Sequence, residues 1–163
     1  MGSQDLRDRY PEIERSLRFD GSPESVKICL EPVIKHADRI LNTVDDIAYW
    51  KNLEYEEVFV FQSRALGTCK PTSDIDIYVQ LNEKHSKLVN DNGTLYKDTG
   101  VKLLVGEWAT KFFEDIPIHL KQNLDEIHTD IFWGIESKPP AKYEYRGRNY
   151  YHSLKTLRKA KDD

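Results

Sequence analysis

Cysteine is scarce in this sequence: Cys29 and Cys69 are the only two among 163 residues. They are too few and too unpatterned for a disulfide framework or a zinc site, so a pair of reduced thiols is expected. Long apolar runs are missing as well. The longest falls far short of the ~20 residues needed to span a bilayer, and no transmembrane segment is expected. The opening stretch MGSQDLRDRYPEIERS lacks the apolar core of a secretory signal, and cytoplasmic residence is the default expectation. There is no internal repeat and no low-complexity tract. Positive charge is short over most of the length. From Lys138 onward, eight Lys/Arg against three acids give a surplus of +5, which leaves −9 on the first 137 residues of a chain whose net charge is −4. An acidic body argues against a broad nucleic-acid platform, because binding to a phosphate backbone needs clustered cations. It leaves room for a local phosphate contact.

What is there suits one domain: 19.1 kDa, 39% hydrophobic and 32% charged residues, enough chain for a sizeable core. The expected organisation is an N-terminal extension over residues 1–22, a domain over 23–137 and a basic C-terminal tail or helix over 138–163. Ser22-Pro23-Glu24 reads as a helix start, with Ser22 as N-cap and Pro23 in the first turn. Apolar residues from Val26 to Val44 then recur at near-helical spacing, and Pro32 is expected to kink or divide that helix. The segment 45–52, with Trp50, is a less certain extension. Lys102–Phe113 is read as a helix covering a sheet. Pro117 limits Ile116–Leu120 to an edge or a strand start. Ile127–Trp133 is read as a strand with His128, Asp130 and Phe132 on one face, and residues 149–161 as a final basic helix. Trp50, Trp108 and Trp133 are expected in the core.

The most informative stretch is Val58–Val79, VFVFQSRALGTCKPTSDIDIYV. An apolar β-branched and aromatic run passes through a turn-forming connection into Asp-Ile-Asp-Ile-Tyr-Val, which is the signature of two buried strands. In an extended strand Asp74 and Asp76 share one face and stand roughly 6–7 Å apart along the chain. On apolar backing, such a pair is costly unless a cation sits over it. A divalent metal is the natural candidate.

The run Phe61-Gln62-Ser63-Arg64-Ala65-Leu66-Gly67, followed by Ser73-Asp74-Ile75-Asp76, resembles the nucleotidyltransferase superfamily of polymerase-β-like enzymes, and its minimal members above all. The resemblance implies the nucleotidyltransferase fold, an α/β (α+β) arrangement with a small mixed sheet and helices packed on one face. It also implies Mg²⁺ (or Mn²⁺) with an NTP substrate, and transfer of a nucleoside monophosphate, AMP first, to an acceptor hydroxyl. Asp74 and Asp76 are the implied metal ligands. A third carboxylate is implied on a neighbouring strand, where Asp130 is the choice and Asp125 and Glu126 are alternatives. If Ile116–Leu120 is the equivalent strand instead, His119 takes that place and the third acid is missing. Ser63 and nearby backbone amides are implied to hold the phosphates; Gln62, Arg64, Lys70 and Ser73 are the other nucleotide-binding candidates. Gln62 stands where the family has glycine, adding a Cβ where close backbone approach is wanted. His36, His85, His128 and His152 show no ligand spacing and are not expected to bind metal. The tail aromatics and arginines, Arg146 and Arg148 first, could stack a base, though tyrosines packed on the body are the favoured reading.

The acceptor is expected to be a protein side chain, a nucleic-acid 3′ end or a small molecule. A protein is favoured, as with adenylylating antitoxins of the minimal group, and nucleic acid is less favoured. Two other classes compete: a binding module that has lost turnover, and a small enzyme processing nucleic-acid ends.

Overall fold

The computed structural model describes residues 19–105, 110–117, 120, 127–145 and 147–162. Helix α1 (Pro23–Lys35) starts where the sequence marks it: Ser22 Oγ accepts the Ser25 amide at 3.2 Å, and Asp20 accepts both the Ser22 amide and the Ser25 hydroxyl. The chain breaks at His36 and resumes as α2 (Ala37–Lys51). Pro32 has no amide to donate and crowds the preceding turn; the division comes one turn after it, with the His36 amide bonded back to the Pro32 carbonyl. Asn52, in the left-handed region at φ 54°, ends α2. The extension over residues 45–51 is therefore helical, but Trp50 at its end is half-exposed rather than in the core.

Strand β1 (Tyr55–Phe61) leads into the four-residue helix α3 (Ser63–Leu66) and then β2 (Ile75–Leu81). A short 3-10 turn (Glu83–His85) and α4 (Ser86–Asn92) follow, then β3 (Thr94–Leu95), β4 (Lys102–Val105), the one-turn helix α5 (Thr110–Phe113), β5 (Thr129–Gly134), β6 (Tyr151–Ser153) and α6 (Leu154–Asp162). The strands form one mixed sheet in the order β3-β4-β5-β2-β1-β6. Among the described strands β2 and β5 are the parallel pair, with Asp76 opposite Asp130 in register. Alternation along each strand makes two cores. Val58, Val60, Ile75, Ile77, Val79 and Trp133 face the helices and pack with residues such as Val33, Leu41 and Val44. Phe59, Phe61, Tyr78, Leu103, Val105 and Phe132 build a second, aromatic-rich layer on the opposite face, joined by Tyr96. The expected fold class, a mixed sheet with helices, is the one observed.

Four expectations are corrected. Lys102–Val105 is a strand, not the start of a helix: Leu103 and Val105 enter the aromatic layer while Leu104 enters the helix-side core. A strand buried on both faces shows a continuous apolar run, which periodicity cannot tell from helix. Among the described residues of the expected Lys102–Phe113 helix, Thr110–Phe113 is helical; residues 106–109, Trp108 among them, lie outside the described residues. Residues 151–153 form β6, paired with Phe59–Phe61, before α6 begins. Cys29 and Cys69 are joined in a disulfide between α1 and the loop after α3, a pairing that a reducing compartment opposes. The edge-strand segment at Ile116–Leu120 is bent rather than extended at residues 114–117, and His119 lies outside the described residues, as do Asp125, Glu126 and Arg146.

Candidate functional site

The parallel β2–β5 pair is what gathers the acids. Because Asp76 and Asp130 are register partners, their side chains leave the sheet on the same face, the one opposite the main helices. Asp74, just before β2, joins them at the strand ends. Ligand atoms of Asp74, His128 and Asp130 lie within 4.8 Å of one another, and His128 Nε2 meets Asp130 Oδ1 at 2.6 Å. Asp76 stands beside this group, with its carboxyl pushed up to about 7. Withdrawal from water is the main cause, followed by the negative charges of Asp130 and Asp74; Lys97 and His128 oppose the shift. A buried carboxyl beside two other acids resists ionisation. A hard divalent cation relieves that repulsion, and the oxygen-rich donor set suits Mg²⁺ or Mn²⁺. The residues fit such an ion.

These groups line a cavity of about 610 Å³, to which Gln62, Tyr96, Lys97 and Phe132 also contribute. Its outer wall comes from the β3–β4 connection. There Tyr96 and Val101 are bridged by a 2.8 Å backbone bond, and Lys97 adopts the left-handed region at φ 47°. Gln62 enters at φ 67°, ψ −144°, a region essentially reserved for glycine that carries about 1–3 kcal/mol of strain for other residues. The backbone thus keeps a glycine's shape while a glutamine side chain occupies part of the cavity. Its amide is fixed by the Tyr150 carbonyl at 3.2 Å, and Gln62 Oε1 accepts from Lys97 Nζ at 3.2 Å.

The structure brings Asp74, Asp76, Asp130 and Gln62 to the cavity, and not the other candidates. Ser63 begins α3 and does not line it. Arg64, expected at a phosphate, is buried, and its guanidinium donates to the carbonyls of Ser73 (2.7 and 3.1 Å), Cys29 (3.0 Å) and Pro71 (3.3 Å). Burial pulls it down to about 10, while Asp76 and Asp74 hold it up. It anchors the loop that delivers Asp74. Ser73 Oγ accepts the Lys70 amide at 2.8 Å, so Lys70 and Ser73 belong to the same turn.

Sequence reasoning set His128 aside as a metal ligand, whereas the structure groups it with Asp74 and Asp130; it passed over Tyr96 and Lys97. For His128 the signal was present: two residues before Asp130 on one strand, it had to share that residue's face. Tyr96 and Lys97 carry no local signal, since they reach the cavity only because β3 and β4 sit beside β5.

The family model described as "Nucleotidyltransferase domain" matches residues 38–148 of the chain, which takes in β1, the α3 turn, both acidic strands and the cavity wall. No curated protein and no solved structure matches it.

Proposed function

The chain belongs to the nucleotidyltransferase domain family, and from that premise we propose that it transfers a nucleoside monophosphate, AMP first, from an NTP to an acceptor hydroxyl. The acceptor oxygen forms a bond to the α-phosphorus, the bond from that phosphorus to the bridging oxygen breaks, and pyrophosphate leaves with the electron pair. Asp74, Asp76 and Asp130, with His128 beside them, would hold the divalent cation. When bound, Mg²⁺ or Mn²⁺ offsets the charge developing on attacking and leaving oxygens. Asp130 would take the acceptor proton, and the His128 ring, 2.6 Å from its Oδ1, would orient that carboxylate. The aromatic layer on this face backs the site.

The observation that carries this reading is the convergence of acids from two adjacent parallel strands on one cavity. A protein acceptor is supported by the exposed aromatic pair Tyr49 (86% exposed) and Trp50 (50% exposed) at the end of α2, a kind of surface that marks docking more often than phosphate binding. The acidic charge of the body weighs against a nucleic-acid acceptor. A second reading, a nucleotide-binding module without turnover, draws on Gln62 filling part of the cavity. No described helix is long and apolar enough to cross a membrane; cytoplasmic residence stays within the proposal, and the Cys29–Cys69 disulfide weighs against it.

The test is incubation with each of the four α-labelled NTPs, Mg²⁺ and cell extract. Label should enter one macromolecule with one preferred NTP, and Asp76→Asn and Asp130→Asn should each reduce incorporation at least 100-fold. Mutants as active as wild type would end the metal-site assignment, and NTP binding without incorporation would favour the binding module.

A further inference from the structure

The segment that delivers Asp74 to the cavity is fastened to α1 and to the turn before it. Between α3 and β2, the Gly67 carbonyl accepts the Gly21 amide at 2.9 Å and the Cys69 carbonyl accepts the Phe19 amide at 3.0 Å. Cys69 itself is joined to Cys29 of α1, 40 positions away in sequence. Arg64 spans the same gap: one nitrogen donates to the Cys29 carbonyl at 3.0 Å, and its fork reaches the carbonyls of Pro71 and Ser73. Lys70 and Ser73 close a tight turn, the Ser73 amide on the Lys70 carbonyl at 3.0 Å and the Lys70 amide on Ser73 Oγ at 2.8 Å. Asp74 follows directly, and its side chain is exposed. No packing holds an exposed carboxylate in place, so the backbone before it sets its position. Of all these fastenings, the sulfur bridge is the one whose existence depends on redox conditions.

We propose that the Cys29–Cys69 pair is a redox-sensitive tether that couples the position of Asp74, and with it affinity for a divalent cation, to the thiol–disulfide state of the chain. The inference rests on the nucleotidyltransferase reading and adds regulation to its acidic site. In the oxidised chain the loop is held against α1 covalently. A small dithiol opens it by exchange: a thiolate attacks one sulfur, the Cys29–Cys69 bond breaks, and the reagent closes to its own cyclic disulfide. The two cysteines thereby gain two electrons and two protons. Cys29 and Cys69 are 0% and 1% exposed, so the attack requires the loop to lift from α1. That movement pulls on Arg64, and through it on Ser73 and Asp74. A site in which Asp74 is held together with His128 and Asp130 resists the same movement. Coupling between two such equilibria is reciprocal: closing the bridge strengthens cation binding, and cation binding protects the bridge by the same factor. A bridge with a structural role alone would change stability and leave cation affinity untouched.

Mg²⁺ titrated by calorimetry into the full chain reads the coupling from one side. The oxidised protein should bind it about tenfold more tightly than the same protein in dithiothreitol or the Cys29→Ser/Cys69→Ser double variant, and dithiothreitol should not alter the double variant. From the other side, saturating Mg²⁺ should raise by the same factor the ratio of reduced to oxidised dithiothreitol at which half the pair is open, counted by acid quench, alkylation and mass spectrometry. Hydrogen exchange should quicken on reduction at residues 69–74 and stay unchanged in β2 beyond Ile75 and in β5. Equal Mg²⁺ affinity in the closed and open states, a midpoint that Mg²⁺ does not move, or cysteines that remain free thiols in oxidant would overturn the tether. Exchange quickened throughout β2 and β5 would overturn it too, by showing global unfolding. Failure of the acidic-site reading looks different: Mg²⁺ bound in neither redox state, which would remove the site and the coupling together.

Discussion

Replacing Asp76 by Asn is the most direct probe of the acidic site, because it should stabilise the metal-free protein while removing its response to metal. Burial and the charges of Asp130 and Asp74 push the folded carboxyl from its ordinary 3.8 up to about 7. The folded state therefore keeps a proton that the unfolded state has released between about pH 4 and pH 7, and stability falls across that window as pH rises. Above pH 7 the loss is complete: about 3 units at 1.36 kcal/mol each gives a ceiling of about 4 kcal/mol. Water reaching the cavity mouth screens part of it, so about 1–3 kcal/mol is expected at pH 8. Asn presents a neutral group of the same shape and has no such dependence. In urea titrations with EDTA, followed by far-UV circular dichroism, the variant should match wild type near pH 4.5 and exceed it at pH 8. Adding 100 Kd of Mg²⁺ should return about 2.7 kcal/mol to wild type and much less to the variant. A variant less stable than wild type at pH 8 in EDTA, or one gaining equally from Mg²⁺, would refute the reasoning.

Three other substitutions test the supports of the site. Arg64→Met strips donors from buried loop carbonyls and should destabilise by about 3–5 kcal/mol, with lower metal affinity because Asp74 is no longer positioned; a melt within 2 °C of wild type would contradict this. At Gly67, φ is 78° and an added Cβ would stand 2.6 Å from Val26 Cγ2 and 2.8 Å from the Val26 amide nitrogen; Gly67→Ala should cost about 2–4 kcal/mol in chemical denaturation, and a neutral result would mean the α1–α3 contact is looser than described. The disulfide closes a loop with a sequence separation of 40, for which chain entropy gives about 4 kcal/mol; Cys69→Ser should lose up to that amount relative to the oxidised protein, and reduction with dithiothreitol should lower wild type to the same level. Equal stability of wild type in oxidant and reductant would exclude the pairing.

Much of the fold was legible because local rules decide it. Ser22 and Pro23 cap a helix wherever they precede apolar periodicity, and Val58–Phe61 and Ile75–Val79 are strands by composition. The misread elements share one cause. Lys102–Val105 and Tyr151–Ser153 are held by neighbours distant in sequence, β5 and β1, and a short run with no alternation carries no mark of such pairing. Arg64 was misjudged for the same reason: an arginine after a turn looks available to phosphate until four hydrogen bonds to three backbone carbonyls are seen to claim it.

By itself the sequence determined the acid pair, its strand and the turn before it, since spacing along one extended chain fixes which side chains share a face. It also fixed Asp130 and His128 to one face of their own strand. That this face meets the one carrying Asp76 was decided only by the parallel β2–β5 register, which a one-residue slip would have reversed. The same holds for the rest of the cavity: Gln62, Tyr96 and Lys97 meet because the turn after β1 and the β3–β4 connection close around it. Contacts between such distant segments follow from packing, and no local pattern encodes them.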